Sequence, residues 1–533
     1  MSFKRQNNYR GLVTSVIFFL FCFCVNSATK LPNFILLNLD DVGWGDFGVH
    51  GNPARETPRI DQMVSEGMDM TSFYTAAPLC SPSRAAMLSG RLPIRNGLYS
   101  DNAFGRNAYT PQDIVGGIAS SEILLQELLR KGGYHTKLIG KWHLGHRAPY
   151  HPLKRGFNEW YGAPNVHFQY DGTTAPNIPV YKDQNMIGRF YEGIAINLTT
   201  NTTNLIAGIS EYTQHLGEEA LEYISRRGRT GKPFFLYWNP DSTHAPSYAS
   251  ARFRGRSQRG TAYGDALIEV DDIVGKMLDL LVNHKLENDT LVVLTSDNGA
   301  ALVSKREAGT NAPFLCGKQT TFEGGFRTPA FFWWPNKIPA GNASSQVGTQ
   351  MDLFATFLDL AGLPMPRDRV YDSISLKPAL MNGDLDLEKV VFFYRGNGLF
   401  AVRKGRFKMH LWTWRTPQEE LKRGIDYCPN IHMDGIVSAT QVNHTAEPIL
   451  FDVDNDPEER YPIRPGNSPT IYETAVGYLK KVVEKHQQDL VPGKPALNYC
   501  DPAVENWAPP GCEDLDDCLP IPASKVVICD WPH

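Results

Sequence analysis

Four short apolar runs constrain what this chain can fold into more than any other feature of it. Residues 34–39, 135–139, 234–238 and 291–294 have the length and composition of buried strands, and helical patterns lie between them at 121–131 and 266–284. Strands alternating with helices predict an α/β fold. Each run is followed at once by polar residues: Asp40-Asp41 after the first, Lys141 and His143 after the second, His244 after the third, and Asp297-Asn298 after the fourth. Ligands of open α/β sheets gather beyond the carboxyl ends of the strands, so these four ends are expected on one rim.

At 533 residues the chain is longer than one core usually serves, which predicts two domains. Its character changes after Leu380. Residues 390–394, 400–403 and 406–411 read as short strands with Lys404-Gly405 as a hairpin turn, and 471–488 reads as a helix. From Val491 the chain is rich in Pro and Cys, as in an irregular segment tied down by disulfides. The expected organisation is a signal peptide at 1–27, a large domain at 28–380, a smaller domain of antiparallel sheet and helix at 381–490, and an irregular tail at 491–533.

The signal rests on Lys4, Arg5 and Arg10, the apolar run 12–25, and small residues around Ser27 and Ala28. That run is short for a membrane span and nothing later is long and apolar enough, so no span is expected in the mature chain. Of nine cysteines, Cys22 and Cys24 leave with the signal, and Cys80, Cys316, Cys428, Cys500, Cys512, Cys518 and Cys529 remain. In an oxidising compartment six can pair, in any of fifteen connectivities, and one is left over. Sequons at Asn197, Asn201, Asn288, Asn342 and Asn443 fit the same compartment. Lys plus Arg (53) nearly balances Asp plus Glu (57), so no polycationic surface points to nucleic acid, and an anionic substrate would have to be held by a few placed residues.

Cys80-Ser81-Pro82-Ser83-Arg84 reads as the start of a helix. Ser81 before Pro82 predicts an extended approach and Pro82 suits the first turn, where unpaired N–H groups can hold an anion and Arg84 adds a fixed positive charge. Asp40-Asp41 and Asp297-Asn298 each read as well as a turn or cap, but together they offer the hard oxygen ligands of calcium, with magnesium the alternative. No His or Cys cluster beside them suggests zinc. In Gly140-Lys141-Trp142-His143-Leu144-Gly145, Lys141 and His143 sit at alternate positions and can face one side. Lys141 can neutralise an oxyanion, His143 can take a proton from a hydroxyl, and His244 can hand one to a leaving alcohol. Lys318, ahead of Glu323-Gly324-Gly325, could reach the anion from the opposite side, and Tyr109 completes the candidates.

These motifs resemble those of the sulfatase family, in which a cysteine is oxidised to formylglycine. The stretches at Cys80 and Gly140 match, and Asp40-Asp41, His244, Asp297-Asn298 and Lys318 occur in that family's order; Ser89 departs from it, where the family usually has Thr before Gly-Arg. Residues 91–97, 106–111, 313–318 and 506–512 narrow the resemblance to the lysosomal branch that removes 6-sulfate from galactosamine of chondroitin sulfate and from galactose of keratan sulfate. The resemblance implies a large alkaline-phosphatase-like domain with a mostly parallel central sheet. It implies that Cys80 becomes formylglycine by the action of a formylglycine-generating enzyme, and that one calcium ion is held by Asp40, Asp41, the modified Cys80, Asp297 and Asn298. Catalytic contacts would come from Cys80, Arg84, Lys141, His143, His244 and Lys318, and a substrate contact from Tyr109. It further implies disulfides joining Cys316 to Cys428, Cys500 to Cys529 and Cys512 to Cys518, a homodimer, delivery to the lysosome by the secretory route or secretion from it, and a sulfated glycosaminoglycan substrate. Two rivals stay open: a sulfatase of different sugar or aryl specificity, and a non-catalytic glycan-binding relative in which Cys80 is never oxidised. A phosphatase of the same superfold would place Ser or Thr at the nucleophile and add Asp/His ligands for paired zinc, and neither is present.

Overall fold

The computed structural model describes Met1 and residues 30–102, 113–167, 177–191, 194–197, 202–205, 209–416, 418–429, 432–505 and 523–529. The four apolar runs are the strands Asn33–Leu39, His135–Gly140, Phe234–Asn239 and Thr290–Ser296, parallel neighbours at the centre of a ten-stranded sheet. Glu159–Gly162 continues the parallel set, and the antiparallel pair Asn177–Lys182 and Asn185–Tyr191 forms the edge beyond it. On the other side Ala330–Trp333 runs antiparallel to both Thr290–Ser296 and Met68–Tyr74, and Asn342–Thr349 closes the sheet parallel to Met68–Tyr74.

Both faces of this sheet are covered, which is why its central strands read as continuous apolar runs. Phe34 and Leu36 join a core cluster with Leu125, Leu129, Phe354 and Phe357, while Ile35 and Leu37 join another with Ile60, Leu216, Val270 and Val274. The first face carries the helices Leu125–Lys131 and Asp352–Leu360; the second carries Pro58–Ser65, Ile209–Gly228 and Ala262–Asn283. The helix expected from residue 121 begins at Leu125, where the Glu127 carboxylate accepts the Leu124 N–H at 3.0 Å. The one expected from 266 begins at Ala262, capped by the Thr261 hydroxyl.

A second, four-stranded antiparallel sheet is built from Val390–Arg395, Gly398–Lys404, Phe407–His410 and Ile449–Asp452. Helix Pro469–Asp489 packs on it, with Tyr472, Leu479 and Val483 against Val402, Met409 and Leu450. A buried ionic network joins the two sheets. Lys408 Nζ lies 3.0 Å from both Glu323 Oε1 and Glu459 Oε1, the Tyr74 hydroxyl donates to Glu323 Oε2 at 2.7 Å, and His410 reaches Glu459 at 2.7 Å.

Cys316 pairs with Cys428 and Cys500 with Cys529, while Cys512 and Cys518 lie outside the described residues. Asn288, Asn342 and Asn443 are exposed, Asn197 ends the strand Ile194–Asn197, and Asn201 is outside the described residues. Among the described residues no helix is long and apolar enough to cross a membrane.

Candidate active site

The polar strand ends converge. Asp41, in a left-handed conformation (φ 57°), accepts from Asn298 Nδ2 at 2.7 Å, and its own N–H donates to Asp297 Oδ1 at 3.3 Å. Cys80 is the first residue of the helix Cys80–Ser89. The extended residue ahead of that helix is Leu79, so Ser81 is helical and Arg84 lies a full turn beyond Cys80, correcting the expectation of an extended Ser81 and a first-turn Arg84. Pro82 permits this because its missing N–H would find no intrahelical partner so close to the start. One carboxylate oxygen from each of Asp40, Asp41 and Asp297 and the Cys80 Sγ all lie within 4.8 Å of one another.

Three cations interleave with the three carboxylates. Arg84 Nη2 lies 2.7 Å from Asp297 Oδ2 and 3.4 Å from Asp40 Oδ2, Lys141 Nζ is 2.6 Å from Asp40 Oδ2, and Lys318 Nζ is 2.6 Å from Asp41 Oδ1 and 3.4 Å from Cys80 Sγ. Burial alone would raise the Asp40 carboxyl, but Lys141 and Arg84 hold it well below the usual range. Asp297 is pushed up by burial and by the Asp40 charge, and burial with Asp297 pushes the Cys80 thiol up. Against the effect of burial, Asp41 holds Lys318 well above the usual lysine value.

A cavity of about 250 Å³ is lined by Asp41, Cys80, His143, His244 and Lys318, with Val166, Gln319 and Tyr427 farther round its wall. Arg84 and Lys141 are fully buried and do not line it. His143 sits at φ 62°, and burial with Lys141 pushes its ring well below the usual histidine value. His244 Nδ1 lies 2.8 Å from the Ala245 carbonyl, so it donates there and Nε2 is left facing Asp41 Oδ2 at 3.7 Å; burial and Lys318 push this ring down as well. Tyr109 lies outside the described residues.

Several supporting residues escaped the sequence reading. Ser83 Oγ donates to Gln350 Oε1 at 2.7 Å, and the Thr75 hydroxyl reaches the Asp297 carbonyl at 2.9 Å, tying the Cys80 helix to a strand end. His167, at 2.9 Å from Asp241, braces the turn that carries His244. Asp241 stands in the same short stretch as His244, but nothing in the sequence around His167 singles it out.

The donor set fits a divalent cation. Asn298 spends its Nδ2 on Asp41 and on the Gly299 carbonyl, while its Oδ1 is buried with no hydrogen-bond partner among the described residues, a hard oxygen left beside three carboxylates. Arg84 Nη1 is likewise buried without a partner among the described residues, a donor available to an oxyanion. Three carboxylates against Arg84, Lys141 and Lys318 leave no net charge, so a dication would make the site positive enough to attract a sulfate ester.

The sulfatase family pattern matches residues 32–363. The chain belongs to the sulfatase family. A second pattern, the C-terminal region of aryl-sulfatase, matches residues 387–520. This sulfatase is 54% identical over 511 residues to N-acetylgalactosamine-6-sulfatase of Sus scrofa (96% of each chain) and 52% identical over 510 residues to that of Homo sapiens (95% of each). It is 31% identical to arylsulfatase A of Homo sapiens, covering 93% of this chain and 96% of that one. A crystallised sulfatase from Pseudoalteromonas sp. superposes with a TM-score of 0.70 at 27% identity, over 87% of this chain and 92% of that one. The fold is therefore the alkaline-phosphatase-like one expected, with a mixed, mostly parallel central sheet.

Proposed function

We propose that this sulfatase removes the 6-sulfate of terminal N-acetylgalactosamine 6-sulfate in chondroitin sulfate and of galactose 6-sulfate in keratan sulfate. The observation that carries the specificity is the 52–54% identity, over nearly the full chain, to enzymes named N-acetylgalactosamine-6-sulfatase, against 31% to arylsulfatase A.

Cys80 is the precursor of the nucleophile. Raised by burial, its thiol keeps its proton and is a poor nucleophile as it stands. Oxidation to formylglycine, with water adding to the aldehyde, would supply a geminal pair of hydroxyls, one to take the sulfuryl group and one to expel it. Asp40, Asp41, Asp297 and Asn298, with the modified Cys80, would hold one calcium ion, which when bound neutralises sulfate oxygens and polarises the nucleophile. Lys318 on the cavity wall and Lys141 and Arg84 behind it set positive charge on several sides of the bound sulfate. His143, neutral in its buried setting, accepts the proton of the attacking hydroxyl. His244 directs Nε2 at the cavity and protonates the departing sugar oxygen; burial and Lys318 disfavour the protonated ring, and a sulfate beside Lys318 offsets the second of these. Tyr109 belongs to the same reading as a substrate contact.

The same reading, carried by the family resemblance of the Cys80 motif and by the signal-like start, sequons and cysteines of the sequence, includes maturation by a formylglycine-generating enzyme, passage through the secretory route with glycosylation at the sequons, residence in the lysosome, a homodimer, and the pairing of Cys512 with Cys518. The test is a panel of defined sulfated oligosaccharides differing only in sulfate position and terminal sugar. Release of sulfate from the 6-position of galactose-type termini is expected. Cleavage of 4-sulfated but not 6-sulfated galactosamine would refute the specificity and leave the sulfatase class intact.

A further inference from the structure

We infer that His167 is the positioning residue for His244, an assignment that rests on the reading of His244 as proton donor to the leaving alcohol. His167 is buried directly after Val166 of the cavity wall. Its Nδ1 lies 2.9 Å from Asp241 Oδ2, its Nε2 lies 2.8 Å from the Pro246 carbonyl, and its backbone N–H adds a bond to the same Asp241 oxygen at 3.2 Å. The other Asp241 oxygen accepts from the Tyr248 hydroxyl at 2.7 Å.

A carbonyl oxygen can only accept. His167 Nε2 therefore donates to Pro246, and Nδ1 of the same ring meets the Asp241 carboxyl. The ring of His167 thus bridges the first and last residues of the turn 241–246. His244 stands inside that turn, with its N–H on the Asp241 carbonyl at 3.0 Å and its ring edge-to-face with His167 at 5.6 Å and 82°. Removing the bridge leaves the internal bonds of the turn but releases the Pro246 end from Asp241, and with it the direction in which His244 Nε2 points.

The distinguishing experiment compares the formylglycine-bearing, calcium-loaded protein with its His167→Ala, His244→Ala and doubly substituted forms, on a 6-sulfated monosaccharide and on an activated aryl sulfate whose leaving group needs little protonation. His167→Ala is expected to lower kcat on the sugar sulfate about 10–100-fold, the cost of a misplaced catalytic group, and on the aryl sulfate less than about threefold. The double variant should be no slower than His244→Ala, since both changes remove one function. Equal losses on the two substrates, or losses that multiply in the double variant, would mean that His167 only supports folding and would overturn the assignment. Should His167→Ala fail to fold, Tyr248→Phe removes one bond to Asp241 and leaves the bridge in place; the same selectivity at about two- to tenfold is expected, and an equal effect on both substrates refutes it. If His244→Ala itself shows no leaving-group selectivity, the role of His244 falls, and this inference falls with it.

Discussion

Asp271→Asn is expected to flatten the dependence of stability on pH. Asp271, on helix Ala262–Asn283, is 3% exposed and caps the start of helix Pro58–Ser65, accepting the N–H of Ile60 at 2.8 Å and of Arg59 at 3.1 Å. Burial outweighs those bonds and pushes the carboxyl from 3.8 up to about 7. The folded protein thus holds this proton more tightly than the unfolded chain, so the contribution is complete below the unfolded value and is lost as pH climbs through about 7. At about 1.36 kcal/mol per pH unit, the full swing is about 4 kcal/mol, of which about 2–3 kcal/mol falls between pH 5 and pH 8. The helix start favours a carboxylate by only about 0.3–1 kcal/mol, too little to reverse the sign. Asn keeps an acceptor for Ile60 and never ionises, so the variant should match the wild type most closely in acid and exceed it at pH 8. Urea-unfolding midpoints by tryptophan fluorescence at pH 5, 6, 7 and 8 measure this directly. Parallel losses in wild type and variant would show that Asp271 ionises normally and that burial does not govern it.

Cys80→Ser should nearly abolish turnover and retain sulfate on the protein, visible by intact mass, because one hydroxyl can accept the sulfuryl group but has no geminal partner to release it; mass spectrometry of the tryptic peptide ending at Arg84 should find formylglycine in active wild type, and an unmodified thiol there would sink the mechanism. Asp297→Ala should lose stoichiometric calcium in elemental analysis and with it activity, while stoichiometric zinc in the wild type would reject the ligand assignment. Lys408→Met should cost about 3–5 kcal/mol, read as a fall in the urea midpoint, because Glu323 and Glu459 lose the buried lysine they share, and Arg327 at 3.3 Å from Glu323 and His410 at 2.7 Å from Glu459 replace it only in part. Non-reducing peptide mapping should recover Cys316 with Cys428 and Cys500 with Cys529, and a Cys80 disulfide in active protein would contradict the proposed nucleophile.

Local chemistry accounts for what the sequence by itself determined. A strand covered on both faces must be apolar throughout, so 34–39 and 291–294 announced themselves, and the candidate ligands Asp40-Asp41 and Asp297-Asn298 directly follow the strands that hold those runs. The Cys80 motif is likewise contiguous, and the left-over cysteine follows from counting. Helix starts were read less well: Cys80–Ser89 begins two residues ahead of Pro82 because Leu79 supplies the extended residue, a backbone choice with no marker in residue type.

The tertiary structure decided which charges meet. Lys141 with Asp40 spans 101 positions, Lys318 with Asp41 spans 277, and His167 with Asp241 spans 74. No periodicity extends so far; each pair follows from the order of strands in the sheet and from the loop that Cys316 and Cys428 fasten. The same packing leaves Asn298 Oδ1 without a partner among the described residues and sets the His167 ring between Asp241 and the Pro246 carbonyl, because burial makes polar atoms rely on protein partners instead of water.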